Sequence, residues 1–150
     1  MKTYLTRSPQ HTIDLGNVFA ARLKPGDIVT LTGNLGSGKT KFVVGVCEGL
    51  RVHGHVASPT FTFINEYNAP FGKVVHIDLY RINKRSEIDE LGIEEYFNDN
   101  CICLIEWPEM IPDMLPPTRF EVKIEYGSND NEREISIACQ SGRRGEVVRA

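Results

Sequence analysis

The octapeptide Gly33-Asn34-Leu35-Gly36-Ser37-Gly38-Lys39-Thr40 limits the folds open to this chain more than any other feature. It fits G-x-x-x-x-G-K-[ST], a glycine-rich turn that joins a strand to a helix and wraps backbone N–H groups around phosphate oxygens. The flanking sequence provides both elements. Upstream, Ile28–Thr32 is short and β-branched; downstream, Val43, Val46, Cys47 and Leu50 mark one face of a helix over Thr40–Leu50. In that setting the N–H groups from Leu35 through Gly36, Ser37, Gly38 and Lys39 to Thr40 converge at the positive end of a helix dipole. Lys39 then places a point charge on the β- and γ-phosphates, and the Thr40 hydroxyl ligates a bridging Mg²⁺. The bland alternative is a glycine turn carrying a solvated lysine.

The rest of the chain reads as one α/β domain spanning residues 1–150. Its 41% hydrophobic and 25% charged residues are those of a globular protein. A net charge of −3 argues against unaided high-affinity binding to nucleic acid. Strands are predicted at Tyr4–Arg7, Thr60–Tyr67, Val74–Tyr80, Ile102–Glu106, Phe120–Tyr126 and Glu134–Cys139. Ser8-Pro9 opens a helix bearing Leu15, Val18, Phe19 and Leu23, and a third helix is predicted over Ser86–Phe97, weakened by Gly92. Non-alternating runs such as Ile102-Cys103-Leu104-Ile105 suit strands covered on both faces. Phe120, Val122, Ile124 and Tyr126 alternate, so the last two strands read as an antiparallel hairpin on the sheet edge. The expected architecture is a P-loop NTPase-like mixed sheet flanked by helices on both sides, with that hairpin at its C-terminal end.

The four cysteines form no C-x-x-C pair and sit in apolar runs, which points to a reducing compartment. No apolar stretch approaches the ~18 residues needed to span a bilayer. A cytoplasmic protein without membrane attachment is expected.

A magnesium–nucleotide site also needs a carboxylate at the end of a strand near the loop. Asp78 in Val-Val-His-Ile-Asp and Glu106 in Leu-Ile-Glu-Trp-Pro both end apolar strands. Two such groups suggest divided roles, one toward the metal and one toward the attacking water or acceptor; the bland reading of each is a strand-end salt bridge. Ser58-Pro59-Thr60-Phe61-Thr62 lies where nucleotide switches reside, so Ser58 and Thr60 are candidate sensors of the γ-phosphate, against a turn that merely starts a strand. Trp107, the sole tryptophan, is either core, a cover for the nucleotide or a partner contact. His53-Gly54-His55 lacks a third ligand and reads as a surface loop, and Arg143, Arg144 and Arg149 read as a solvated tail. The nearest text to a guanine-recognition run, Asn83-Lys84-Arg85-Ser86, lacks the aspartate, and no lid insertion of the kind kinases carry follows Thr40. The residues favour a compact ATPase serving a partner over a small kinase or a non-hydrolysing nucleotide-gated module.

Taken with the P-loop, the strings Ser58–Thr62, Asn65-Glu66-Tyr67, His76-Ile77-Asp78-Leu79-Tyr80-Arg81, Glu90-Leu91-Gly92-Ile93 and Ile102-Cys103-Leu104-Ile105-Glu106-Trp107-Pro108-Glu109 resemble the bacterial TsaE (YjeE) family over nearly the whole chain. The resemblance implies an ATPase needed for threonylcarbamoyladenosine formation in tRNAs that read codons beginning with A. It implies ATP and Mg²⁺ as cofactors, TsaB and TsaD as partners, and tRNA reached through their complex. It further implies that Thr40 and Glu106 contact Mg²⁺, that Asp78 is the catalytic carboxylate near the γ-phosphate, acting with Lys39, and that Trp107 and Glu109 border the nucleotide. Thr12 and Arg133 resemble positions at the nucleotide rim. Asn34 departs from the aspartate common in the family, at a side chain outside the phosphate cradle.

Overall fold

A computed structural model describes residues 1–59 and 62–140. Thr60, Phe61 and the tail arginines Arg143, Arg144 and Arg149 lie outside the described residues. The elements in chain order are β1 (Lys2–Thr6), α1 (Pro9–Ala20), β2 (Ile28–Thr32), α2 (Lys39–Gly49), β3 (Ile64–Ala69), β4 (Gly72–Asp78), α3 (Arg85–Leu91), β5 (Cys101–Glu106), β6 (Arg119–Tyr126) and β7 (Arg133–Gln140), with 3-10 turns at Ile93–Tyr96 and Pro108–Met110. No helix among the described residues is long and apolar enough to cross a membrane.

The strands form one mixed sheet in the order β1-β7-β6-β2-β5-β4-β3. β2 runs parallel to both β5 and β6, and β4 runs parallel to β5. The outer pairs β3–β4, β6–β7 and β1–β7 are antiparallel. The predicted hairpin is therefore present, but it does not form the sheet edge. β1 pairs along β7 from Lys2↔Ile137 to Thr6↔Arg133 and takes the edge position.

Several further boundaries differ from expectation, among them β4, which runs Gly72–Asp78 and not Val74–Tyr80. The strand predicted from Thr60 begins at Ile64, after Phe63 turns the chain with φ 63°. The single helix predicted over Ser86–Phe97 is two pieces, because Gly92 adopts a left-handed conformation (φ 65°, ψ 38°) that a continuing helix cannot contain. The first strand is Lys2–Thr6, not Tyr4–Arg7; it stops because Ser8 Oγ accepts from His11 N at 3.0 Å and caps α1, with Pro9 in the first turn.

α1 and α2 pack together on one face of the sheet. The core beneath them holds Phe19, Phe42, Val46, Leu31, Leu104 and Phe120, with Phe19 edge-on to Phe120 at 5.3 Å. The helices approach closely at Gly45, where a Cβ would run into the carbonyl of Ile13. The second core, with Val75, Ile77, Ile88, Ile93, Ile105 and Ile111, lies on the other face under α3 and the 3-10 turns. β5 lies between the two cores and is buried at every residue, which is why its sequence does not alternate.

Candidate functional site

The site lies where the parallel strands end and α2 begins. Gly38 precedes the helix in a left-handed conformation (φ 107°, ψ 16°), which lets the chain turn from the loop straight into α2. Ser37 N donates to Asn34 O at 3.0 Å and Phe42 N to Gly38 O at 3.1 Å, so the loop and the first helical turn form one hydrogen-bonded unit. The N-terminus of α2 is thus aimed at the loop's concavity.

Two cavities flank this loop and share Gly36, Gly38 and Lys41. One, of about 300 Å³, joins Lys39 and Thr40 to Ser58, Asp78, Tyr80, Glu106 and Trp107. The other, of about 230 Å³, brings Ser8, Thr12, Asp130, Asn131 and Arg133 to the opposite flank. Most of the residues singled out in the sequence therefore meet around a single loop. Glu109 does not line either cavity. It lines a larger one of about 590 Å³ on the sheet face away from α1 and α2, formed with Thr30, Thr32, Glu121, Lys123 and Ser136. Its negative charge still reaches the Lys39 ammonium.

Asp78 and Glu106 are direct neighbours in register on β4 and β5. Val74 and Leu104 point into the core under α1 and α2, so His76, Asp78 and Glu106 continue that face toward the loop. Burial raises the Asp78 carboxyl above its ordinary value of 3.8, opposed by the Tyr80 N–H that donates to Oδ1 at 3.0 Å and reinforced by the charge of Glu106. Ser58 Oγ donates to Oδ2 at 3.4 Å. Burial also lowers the Lys39 ammonium from 10.5, against the attraction of Glu106, Asp78 and Glu109. Lys39 Nζ donates to Gly33 O and to Asn34 O and lies 4.4 Å from the centre of the Trp107 ring. Trp107 in turn packs on Tyr80 at 5.0 Å and takes a left-handed backbone (φ 61°, ψ 50°), a conformation that costs a non-glycine residue about 1–3 kcal/mol.

The donors available to a cation are hard oxygens: the Thr40 hydroxyl and the carboxylates of Glu106 and Asp78. Among the described residues no group of three or more His, Cys, Asp or Glu side chains is placed to hold a metal. In chemical type these hard oxygens suit a divalent cation such as Mg²⁺.

The hairpin contributes a feature that the alternation of β6 did not reveal. Tyr126 Oη donates to Leu35 O at 2.9 Å, Arg133 Nε donates to Ser37 O at 2.8 Å, and the guanidinium lies 4.6 Å from the centre of the Tyr126 ring. Two P-loop carbonyls are thereby held by the far end of the chain. Thr12 is buried, its hydroxyl 2.8 Å from that of Thr6, at the floor of the second cavity. Tyr126 is half exposed at the end of its strand, and nothing in the sequence sets it apart from the alternating residues before it.

The family model for "Threonylcarbamoyl adenosine biosynthesis protein TsaE" matches residues 6–135. This chain belongs to the TsaE family. The tRNA threonylcarbamoyladenosine biosynthesis protein TsaE of Bacillus subtilis is 42% identical over 138 residues, which are 92% of this chain and 85% of that protein. The TsaE protein of Haemophilus influenzae is 38% identical, over 82% of this chain and 77% of its own length. A crystal structure of Bacillus subtilis YdiB superposes with a TM-score of 0.79 at 36% identity, covering 93% of this chain and 86% of that one. The TsaE resemblance read from the sequence strings and the mixed α/β architecture both stand.

Proposed function

We propose that this TsaE protein binds Mg-ATP at the Gly33–Thr40 loop and hydrolyses it in support of threonylcarbamoyladenosine formation on tRNAs reading codons that begin with A, acting in the cytoplasm with TsaB and TsaD. The observation that carries the reading is the convergence of Lys39 and Thr40, at a helix N-terminus, with Asp78 and Glu106 from two adjoining strand ends in one cavity. The relatives, threonylcarbamoyladenosine biosynthesis proteins, supply the biological setting.

In this reading the loop N–H groups from Leu35 to Thr40 and the Lys39 ammonium hold the phosphates and meet the charge that builds as the terminal phosphoryl group departs. Thr40 and Glu106 are the residues that would hold Mg²⁺, which would supply positive charge to the phosphate groups of the nucleotide. Asp78 has Oδ1 fixed by a backbone N–H and Oδ2 in a long contact with Ser58 Oγ. It is therefore oriented to accept a hydrogen bond from a water and line it up for in-line attack. The second cavity, with Thr12 and Arg133, takes the nucleoside end. Trp107 and Tyr80 form an aromatic wall beside the reacting groups and exclude water from one side of the site. Ser58, with Thr60 beyond the described residues, couples the state of the γ-phosphate to the loop before β3, and Glu109 acts on Lys39 through its charge.

The deciding experiment combines this protein with TsaB, TsaD, ATP and tRNA and follows phosphate release and modified adenosine together. Both are expected to depend on this chain and to be lost in Lys39→Ala. Phosphate transferred to an acceptor would instead mark a kinase. Modification that proceeds without ATP consumption would mark a nucleotide-gated binding module.

A further inference from the structure

His76 has no part in the proposed chemistry. It is wholly buried on β4, two residues before Asp78, and its Nε2 lies 2.6 Å from Glu106 Oε2 across to β5. The other ring nitrogen, Nδ1, is buried with no hydrogen-bond partner among the described residues. An ionised carboxylate only accepts, so the hydrogen-bond pattern puts the ring proton on Nε2, donating to Glu106, and leaves Nδ1 as a bare lone pair. On the face of the sheet that His76 occupies, Val74, two residues back, and its β5 register partner Leu104 are fully buried and apolar, while its β3 register partner is Asn65. Against Val74 and Leu104 an aliphatic side chain would pack as well and leave no bare ring nitrogen, and among the described residues the only group to lose a partner would be the Glu106 carboxylate. What an imidazole adds here is a hydrogen bond to the carboxylate it touches.

We infer that His76 is a positioning residue for Glu106: by holding Oε2 from inside the sheet it fixes the carboxylate plane and leaves Oε1 for a divalent cation in the cavity shared with Thr40. This rests on the proposed role of Glu106 as a metal ligand. A carboxylate whose second oxygen is fixed by a buried donor is preorganised for its cation, and loss of such outer partners typically weakens metal binding about 10- to 100-fold.

The test measures Mn²⁺ binding by the loss of the free-ion electron paramagnetic resonance signal in the presence of ADP, for the intact chain and for His76→Leu, His76→Gln and Glu106→Gln. His76→Leu is expected to weaken Mn²⁺ binding by about tenfold or more. His76→Gln, which keeps an N–H donor near the same place, is expected to recover most of that loss, and ADP affinity in EDTA should stay at the wild-type value in both. His76→Leu that takes up Mn²⁺ like the wild type, whatever its melting temperature, overturns the proposal and reduces His76 to a strut between β4 and β5. Wild-type binding of Mn²⁺ by Glu106→Gln, or none by the intact chain, overturns the metal reading of Glu106 itself and the proposal with it. Should His76→Leu fail to fold, the imidazole ¹⁵N spectrum of the intact protein decides. A proton on Nε2 whose resonance moves when Mg²⁺ joins the ADP complex supports the assignment. A proton on Nδ1 with Nε2 bare, or a resonance indifferent to the metal, refutes it.

Discussion

Replacing Tyr126 by phenylalanine removes one oxygen atom and tests whether the C-terminal hairpin sets the shape of the Gly33–Thr40 loop. The hydroxyl donates to Leu35 O at 2.9 Å, but the side chain is half exposed, so water replaces much of the lost bond. A neutral hydrogen bond of this kind has a net value of about 0.5–1.5 kcal/mol, and the exposure places this one at roughly 0.5–1 kcal/mol. If the loop must hold this conformation to bind phosphate, that loss lowers the competent fraction of the free protein and raises the apparent Kd about two- to fivefold. Arg133→Met removes the 2.8 Å bond to Ser37 O and the stacking on the Tyr126 ring. Charge-assisted bonds are worth about 1.5–3 kcal/mol, so its expected effect is roughly ten- to a hundredfold. Arg133 also lines the cavity assigned to the nucleoside, which makes Tyr126 the cleaner probe. Calorimetric titration with ADP gives Kd, and urea unfolding gives the accompanying loss of stability. Tyr126→Phe that binds ADP with wild-type affinity while losing the expected stability would show that Leu35 O needs no brace, and the argument would fail.

Three other perturbations follow from the same geometry. Burial lifts the Asp78 carboxyl above 3.8, so the folded protein holds that proton to higher pH than the unfolded chain, and stability is lost as pH rises through the folded value. Asp78→Asn should therefore melt higher than wild type at neutral pH without ligand, with the gain shrinking on acidification, while Mg-ATP binding persists and phosphate release is lost; a gain that grows toward acid pH would contradict the cause given. Burial pushes the thiols of Cys47 and Cys103 up to about 12, and Cys101 is also buried, whereas Cys139 is partly exposed. A thiol reagent at about pH 8 should label Cys139 alone in the native protein, because reaction needs an accessible thiolate, and rapid labelling of Cys47 or Cys103 would be inconsistent with this packing. In Gly45→Ala the new methyl meets the Ile13 carbonyl, so α1 and α2 must separate. The expected cost is about 1–3 kcal/mol in urea unfolding, and an unchanged midpoint would argue against the close approach.

Much of this site was legible in the one-dimensional text because its chemistry is local. A phosphate loop needs its glycines, lysine and hydroxyl within eight successive residues, and a strand-end carboxylate advertises itself as a charge closing an apolar run, as at Asp78 and Glu106. Local rules also gave the cap at Ser8 and the weakness at Gly92, though not that the second would split the helix outright. The roles of Tyr126 and His76 left no such mark. Tyr126 is one more alternating strand residue until β6 is laid beside β2, which brings its hydroxyl to Leu35. His76 is one more residue of an apolar strand until β4 is registered against β5. The hairpin read as an edge because only pairing between the two ends of the chain shows that β1 covers β7.

What the sequence alone determined is the glycine-rich turn at Gly33–Thr40, the two strand-end carboxylates and the family to which the chain belongs, since each is written in contiguous residues whose backbone and chemistry are set by near neighbours. What only the tertiary structure decided is how those groups are held: the hairpin's grip on the loop carbonyls and the histidine behind Glu106. Both join residues thirty or more positions apart. Contacts of that kind follow from strand order and register, which depend on the packing of the whole sheet against its two cores and not on any short stretch of chain.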